Sequence, residues 1–350
     1  MVDETAKLDT TLLRGFRYGC RPACGLCCFA EPRADLPERR ELLRIAPATE
    51  FVETGGASYL RAHPNGGACG LLQDLRCSAH GARPHPCREF PIHVHLGTRL
   101  QASLVLSCPG VELDSLLEGA SYAQRAPPVG FESELASVER RVGPALARRL
   151  SEAGRRRGRL ARALEREGRW VDENDVRRIL RSRVPHPGPA DYPVPDPPLA
   201  DDGLELLPLY FDGRAGPVAL AVGLGGWEAL ELRPSGGVER HLGVVPPPSS
   251  PPSLAPPAEK LLTGYLRYFL ERDLLFASVL PRMAEVGEGT VTDWVEEELR
   301  GIGAIVVSRA IVRSKLNGVG VEPLTATTLA DGIRATDQDL MDVPTWGDRL

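Results

Sequence analysis

All eight cysteines of this 350-residue chain fall before residue 109. They are Cys20, Cys24, Cys27, Cys28, Cys69, Cys77, Cys87 and Cys108, and five of the seven histidines (His63, His80, His85, His93, His95) share that N-terminal third. Closely spaced thiols on Gly/Pro-rich loops let several sulfurs converge on one centre with little regular backbone to oppose them. Two other uses compete. Four disulfides would need an oxidising compartment, and small core residues would have no reason to cluster. All eight cysteines are therefore the candidate metal ligands.

The spacing bears on how they share a centre. Side chains of adjacent residues in an extended segment point apart, so Cys27 and Cys28 serve different irons, or one of them sits beside the metal rather than on it. One four-iron cluster takes four thiolates, so eight supply two centres, or one centre with thiols to spare. Arg83 and Arg88 either offset the negative charge of metal-bound thiolates or form ordinary surface ion pairs. His80, His85, His93 and His95 read as hydrogen-bonded histidines rather than ligands. The triplet Cys20-x3-Cys24-x2-Cys27 also matches the cluster loop of radical S-adenosylmethionine enzymes, but the residues after Cys28 do not alternate strands and helices as that barrel requires.

From Cys20 to Gly110 the chain resembles the YkgJ-type cysteine-cluster family, a zinc- or iron-chelating domain. The resemblance lies in Cys27-Cys28, the pair Cys69 and Cys77, the run Arg83-Pro84-His85-Pro86-Cys87-Arg88-Glu89-Phe90-Pro91, and Cys108-Pro109-Gly110, in that order. There are two departures. Three residues rather than two separate Cys20 from Cys24, and Ala79 and His80 replace the family's aromatic and hydroxyl positions. The resemblance implies a metal centre; on eight clustered cysteines with these flanks, an iron–sulfur cluster of the 4Fe-4S type is favoured over zinc. Because some relatives are flagellin lysine N-methylases, it also implies an alternative, a protein lysine N-methylase that uses the cluster with S-adenosylmethionine as cosubstrate. A zinc-stabilised interaction module is the third reading. No catalytic or cosubstrate-binding residue is assigned by any of them.

The expected fold class is α+β. An irregular cysteine-cluster domain over residues 1–125 precedes an arginine-rich helical segment (126–184), a proline-rich linker (185–200), a small antiparallel β-meander with C-terminal helices (201–318) and a tail without expected order (319–350). Within this, Asp35–Ala46 reads as a helix capped by Asp35, with Leu36, Leu42, Leu43 and Ile45 as its apolar side. Phe90–Leu96 and Arg99–Leu106 read as a hairpin around Gly97. The runs Leu204–Phe211, Pro217–Leu224, Trp227–Leu232 and Val238–Val245 read as the meander. Ala258–Met283 and Val291–Leu316 carry helical spacing.

Charge excludes little by itself. Of 42 basic residues only Lys7, Lys260 and Lys315 are lysine, a bias that fits a GC-rich genome. Between Arg140 and Arg183 stand 15 arginines and six acids, yet only Trp170 is available to stack on a base, so a solvated helical face is expected rather than a nucleic-acid surface. A protein substrate or partner stays open. No apolar run reaches the roughly 18 residues of a membrane span, and MVDETAKLDTT has no apolar leader core. A cytoplasmic location is expected.

Overall fold

The fold was read from a computed structural model, which describes residues 7–21, 24–29, 32–54, 57–63, 68–74, 76–188, 191, 207–209, 218–223, 226–233, 235, 237–246, 252–316, 318 and 323–341. Most of the expected proline linker and residues 342–350 lie outside them. Helices and short, mostly antiparallel strands make up the chain, an α+β arrangement.

The N-terminal third is built from small pieces. Strands β1 (Leu8–Asp9) and β2 (Arg33–Ala34) precede helix α1 (Leu36–Ile45). There follow β3 (Phe51–Thr54), β4 (Ala57–Leu60), β5 (Leu72–Gln73), β6 (Arg76–Cys77), the short α2 (His85–Glu89), and the hairpin of β7 (Ile92–Leu96) and β8 (Leu100–Leu104). As expected, Asp35 caps α1. Its carboxylate accepts from the Glu38 N–H at 3.0 Å while the Glu38 carboxylate accepts from the Asp35 N–H at 3.1 Å, a reciprocal capping box. The expected apolar side is narrower than read, however. Leu42 is fully buried, but Leu36 is 67% exposed and Ile45 43%. The reason is the size of what α1 packs against, a small core of Ala34, Leu60, Cys69, Leu71, Ala79 and Ala82.

The hairpin pairs Ile92 with Leu104 and Leu96 with Leu100, and β1 joins β8 in parallel. It does not pack on that small core. Ile92, Ala102, Leu104 and Leu106 belong instead to a large core that begins at Leu12 and runs through the C-terminal helices to Ile333.

The arginine-rich segment forms α3 (Glu132–Arg141), α4 (Pro144–Arg166) and α5 (Glu173–Ser182), with Pro144 starting α4 as a first-turn proline should. Several of its arginines sit in ion pairs, including Arg141–Glu89 at 2.6 Å, Arg157–Glu173 at 2.6 Å and Arg177–Asp273 at 2.9 Å. The meander is present as β9 (Leu207–Leu209), β10 (Val218–Gly223), β11 (Gly226–Leu232) and β12 (Val238–Val245), antiparallel in sequence order.

Beyond the meander, the single helix read over Ala258–Met283 is two, α6 (Pro256–Glu271) and α7 (Asp273–Val286), broken where Arg272 is extended (φ −72°, ψ 127°). The break follows from bonds made elsewhere. The Arg272 side chain is drawn into the core, and the Asp273 N–H donates to the Gln101 side-chain oxygen at 2.7 Å. Helix α8 spans Val291–Leu316, as read. The tail read as unordered contains α9 (Ala326–Met341), because Leu329 and Ile333 stand at helical spacing and are fully buried. The meander rests on α8 and α9, with Ala229 and Val245 against Val312 and Ala335. No helix of the described residues is long and apolar enough to cross a membrane.

Arg272 and Asp337 join these parts. Both are fully buried; Arg272 Nη1 lies 2.7 Å from Asp337 Oδ1, and Nη2 donates to Asp337 Oδ2 at 3.0 Å and to the Leu104 carbonyl at 2.5 Å. Asp337 also accepts from the Tyr265 hydroxyl at 2.9 Å and the Leu106 N–H at 2.6 Å. Removing one member of such a pair leaves an uncompensated buried charge, so Asp337→Ala is expected to cost about 3–5 kcal/mol in urea unfolding. A loss below about 1 kcal/mol, the scale of an exposed pair, would show that the pair does not join hairpin and helices.

Candidate metal centre

Several short elements bring the cysteines to the site. Tyr18 bridges Val111 antiparallel and the Gly19 N–H donates to the Gly110 carbonyl at 3.0 Å, which lays the Cys20 segment against Cys108-Pro109-Gly110. Gly110 permits this contact, since a Cβ there would lie 2.5 Å from the Gly19 carbonyl oxygen. Cys27 and Cys28 sit in a 3-10 turn over Leu26–Phe29 that follows the left-handed Gly25 (φ +64°). The Cys69 N–H donates to the Cys28 carbonyl at 2.6 Å, and the Leu72 N–H to that of Cys69 at 2.9 Å. Cys77 closes the β5–β6 hairpin opposite Leu72. Cys87 lies within α2, its N–H donating to the Pro84 carbonyl at 3.0 Å.

These elements converge. All eight cysteines line one cavity of about 360 Å³, and each is a free thiol. Cys69 and Cys108 are buried, Cys20 is exposed, and the rest are half-buried. Leu60, Pro84, Phe90 and Pro109 supply apolar wall; Arg21, Arg76 and Arg83 supply positive charge, and no carboxylate among the described residues lines the space. Buried thiols resist ionisation in such surroundings. Burial pushes Cys108 up to about 12, with the neighbouring Cys24 and Cys27 adding to the effect. Burial also raises Cys69, Cys77 and Cys87, and the charge of Cys27 raises all three further. Cys27 is the exception. A hydrogen bond from the Cys28 thiol holds it down to about 7, and the same bond pushes Cys28 far up. The raised thiols of Cys28, Cys69, Cys77, Cys87 and Cys108 thus favour their protonated form, and their thiolates become favourable once a cation replaces the protons.

The two arginines of the Pro-Cys run have different tasks. Arg83 faces the cavity, whereas Arg88 Nη2 donates to Glu38 Oε1 at 2.8 Å. Glu38 also accepts from the His85 N–H at 2.7 Å and lies 3.2 Å from His85 Nδ1, so the α1 capping residue ties down the helix that carries Cys87. Asp35, Glu38 and His85 have ligand atoms within 4.8 Å of one another, but these bonds account for the grouping. Of the histidines, His80 lines the cavity; the rings of His93 and His95 lie 4.5 Å apart, tilted by 57°, with His95 Nε2 2.8 Å from the Ser103 hydroxyl. Sequence reading missed Tyr18, Arg21 and Arg76, since no motif marks them. The Tyr18 side chain is hydrogen-bonded to Cys20.

Two outcomes are expected. Gly110→Ala forces the Cys108 loop off the Cys20 strand, costing about 1–3 kcal/mol by overpacking and lowering metal content in elemental analysis. Burial alone would raise the Glu38 carboxyl, yet hydrogen bonds from His85 and Asp35 outweigh it and hold the group down to about 2. A carboxylate held below its unfolded value of 4.5 stabilises the fold above that pH and loses the contribution as pH falls towards 2. Glu38→Gln is therefore expected to cost about 1–2 kcal/mol at neutral pH, and denaturant titrations should show the gap to wild type closing over that acid range. A constant gap would mean that the charge does not hold α2.

Residues 19–108 match the model of the CxxCxxCC family, described as "Putative zinc- or iron-chelating domain". No curated protein matches the chain, and no solved structure does. The matched span contains all eight cysteines that line the cavity. With its thiol-lined cavity, this chain carries over residues 19–108 a cysteine-cluster domain of that zinc- or iron-chelating family.

Proposed function

We propose that the cavity holds an iron–sulfur centre of the 4Fe-4S type on cysteine thiolates. The observation that carries this reading is the convergence of eight free thiols on one space of about 360 Å³. A lone zinc ion, with Zn–S near 2.3 Å, would leave most of that space unused, whereas a four-iron cluster on the same number of thiolates fills more of it. Cys27, Cys69, Cys77 and Cys87 are the first candidates for ligands, because four separate elements bring them to the one cavity. Cys28 donates its thiol hydrogen to Cys27 and so tunes that ligand. Cys20, Cys24 and Cys108 remain for a second centre, with Cys24 and Cys27 both acting on Cys108 and Cys20 beside Tyr18.

Arg21, Arg76 and Arg83 offset the excess negative charge that four thiolates leave around a metal. The apolar wall keeps water from the sulfurs. When bound, such a centre supplies one-electron chemistry, tuned by charge, hydrogen bonds to sulfur and exposure. The reading includes a reducing, cytoplasmic setting, where free thiols persist.

Anaerobic purification followed by iron, zinc and acid-labile sulfide analysis and a visible spectrum tests it. The expected result is a brown protein containing iron and sulfide, whose colour is lost in Cys87→Ser but largely kept when the exposed Cys20 is replaced by serine. A colourless chain with stoichiometric zinc would overturn the iron–sulfur assignment in favour of a zinc-stabilised module. A metal-free chain with disulfides would overturn both. Stoichiometric S-adenosylmethionine binding by the loaded chain, measured by equilibrium dialysis, would extend the reading to methyl transfer onto a protein substrate.

A further inference from the structure

We propose that Arg334, on α9 and far outside the family-matched span, is a positioning residue for Cys108, so that the C-terminal half of the chain completes the metal centre. The proposal rests on the reading of Cys108 as a ligand. One guanidinium grips the whole Cys108 loop: Arg334 Nη1 donates to the Leu106 carbonyl at 3.2 Å and the Cys108 carbonyl at 2.5 Å, and Nη2 donates to the Val111 carbonyl at 2.8 Å. One turn further along α9, Asp337 accepts from the Leu106 N–H at 2.6 Å. Helix α9 thus holds both backbone groups of Leu106 and the carbonyl of the ligand itself.

The grip is useful only if α9 cannot move, and two contacts fix it. A Cβ on Gly332 would lie 2.3 Å from the Val306 carbonyl oxygen, so α9 meets α8 backbone to backbone. Asp337 is locked by Arg272 and Tyr265. On the opposite face the loop lies against Gly19 through Gly110. Cys108 is therefore held between the strand that carries Cys20 and a helix more than 200 residues away in sequence. The loop's own bonds around it are short-range turns, from the Cys108 N–H to the Val105 carbonyl and from the Val111 N–H to the Cys108 carbonyl. Such turns leave the direction of the thiol to whatever fixes the loop as a whole. The guanidinium reaches the three carbonyls from two nitrogens held in one plane, whereas the three N–H groups of a lysine ammonium leave a single nitrogen on a flexible stem.

The test uses the full chain with Arg334→Ala, Arg334→Lys and, as a control on the same helix, Leu329→Ala. In the reduced, metal-free chain, iodoacetamide labelling mapped by mass spectrometry gives the Cys108 rate relative to Cys87. Both Arg334 variants should raise that ratio several-fold, and Leu329→Ala should leave it unchanged although it destabilises the core. In the loaded chain the Arg334 variants should retain metal against a chelator about 10- to 100-fold less well, as loss of a residue that orients a ligand typically does. An unchanged ratio, the same change in Leu329→Ala, or full rescue by lysine overturns the proposal. A wild-type chain that takes up neither iron nor zinc overturns the metal reading instead, and the labelling ratio still decides the role of Arg334. Should Arg334→Ala fail to fold, Arg334→Lys carries the test.

Discussion

Arg272 and Asp337 are both fully buried, and charges in that position persist only when each other and the surrounding hydrogen-bond groups satisfy them. Here the surrounding groups come from two ends of the chain. Asp337 belongs to α9, Arg272 interrupts the helical run between α6 and α7, and the backbone they hold is Leu104 to Leu106, on the way to Cys108. The hairpin that ends the cysteine region is consequently part of the helical core, and the thiol cavity lies between that core and the small lobe packed around Leu42.

This arrangement divides the work of the cavity. The small lobe offers few apolar side chains, so short backbone hydrogen bonds and the Glu38 carboxylate hold its loops. It contributes Cys28, Cys69 and Cys77, where a bound metal would add the cross-links that a small core lacks. The large core contributes Cys108, with its loop already fixed. Protonated thiols tolerate the apolar wall, and thiolates would tolerate it with a cation at their centre. Metal binding and folding of the small lobe are thus expected to be linked.

Much of this was legible in the residues. Eight clustered cysteines announce convergent thiols, Asp35 with Glu38 three residues on announces a cap, and apolar spacing locates α8 and the β7–β8 hairpin. Local pattern failed where a distant partner decided the outcome. Nothing near Arg272 predicts a break, because leucines and phenylalanines continue on both sides; the break follows the side chain into the core. Leu36 looks like a core residue by spacing, yet the lobe is too small to cover it. Helix α9 was missed because its apolar residues are few, although Leu329, Ile333 and Ala335 are buried.

By itself, the sequence determined that thiol chemistry is confined to the first 108 residues and which residues can take part, since side-chain type and local spacing are properties of the chain alone. Tertiary structure alone decided that all eight thiols face one cavity, that Arg83 turns towards it while Arg88 turns to Glu38, and that Arg334 reaches back to Cys108. Those outcomes depend on which distant groups remain to satisfy a buried charge or an unpaired carbonyl, and no local pattern records that.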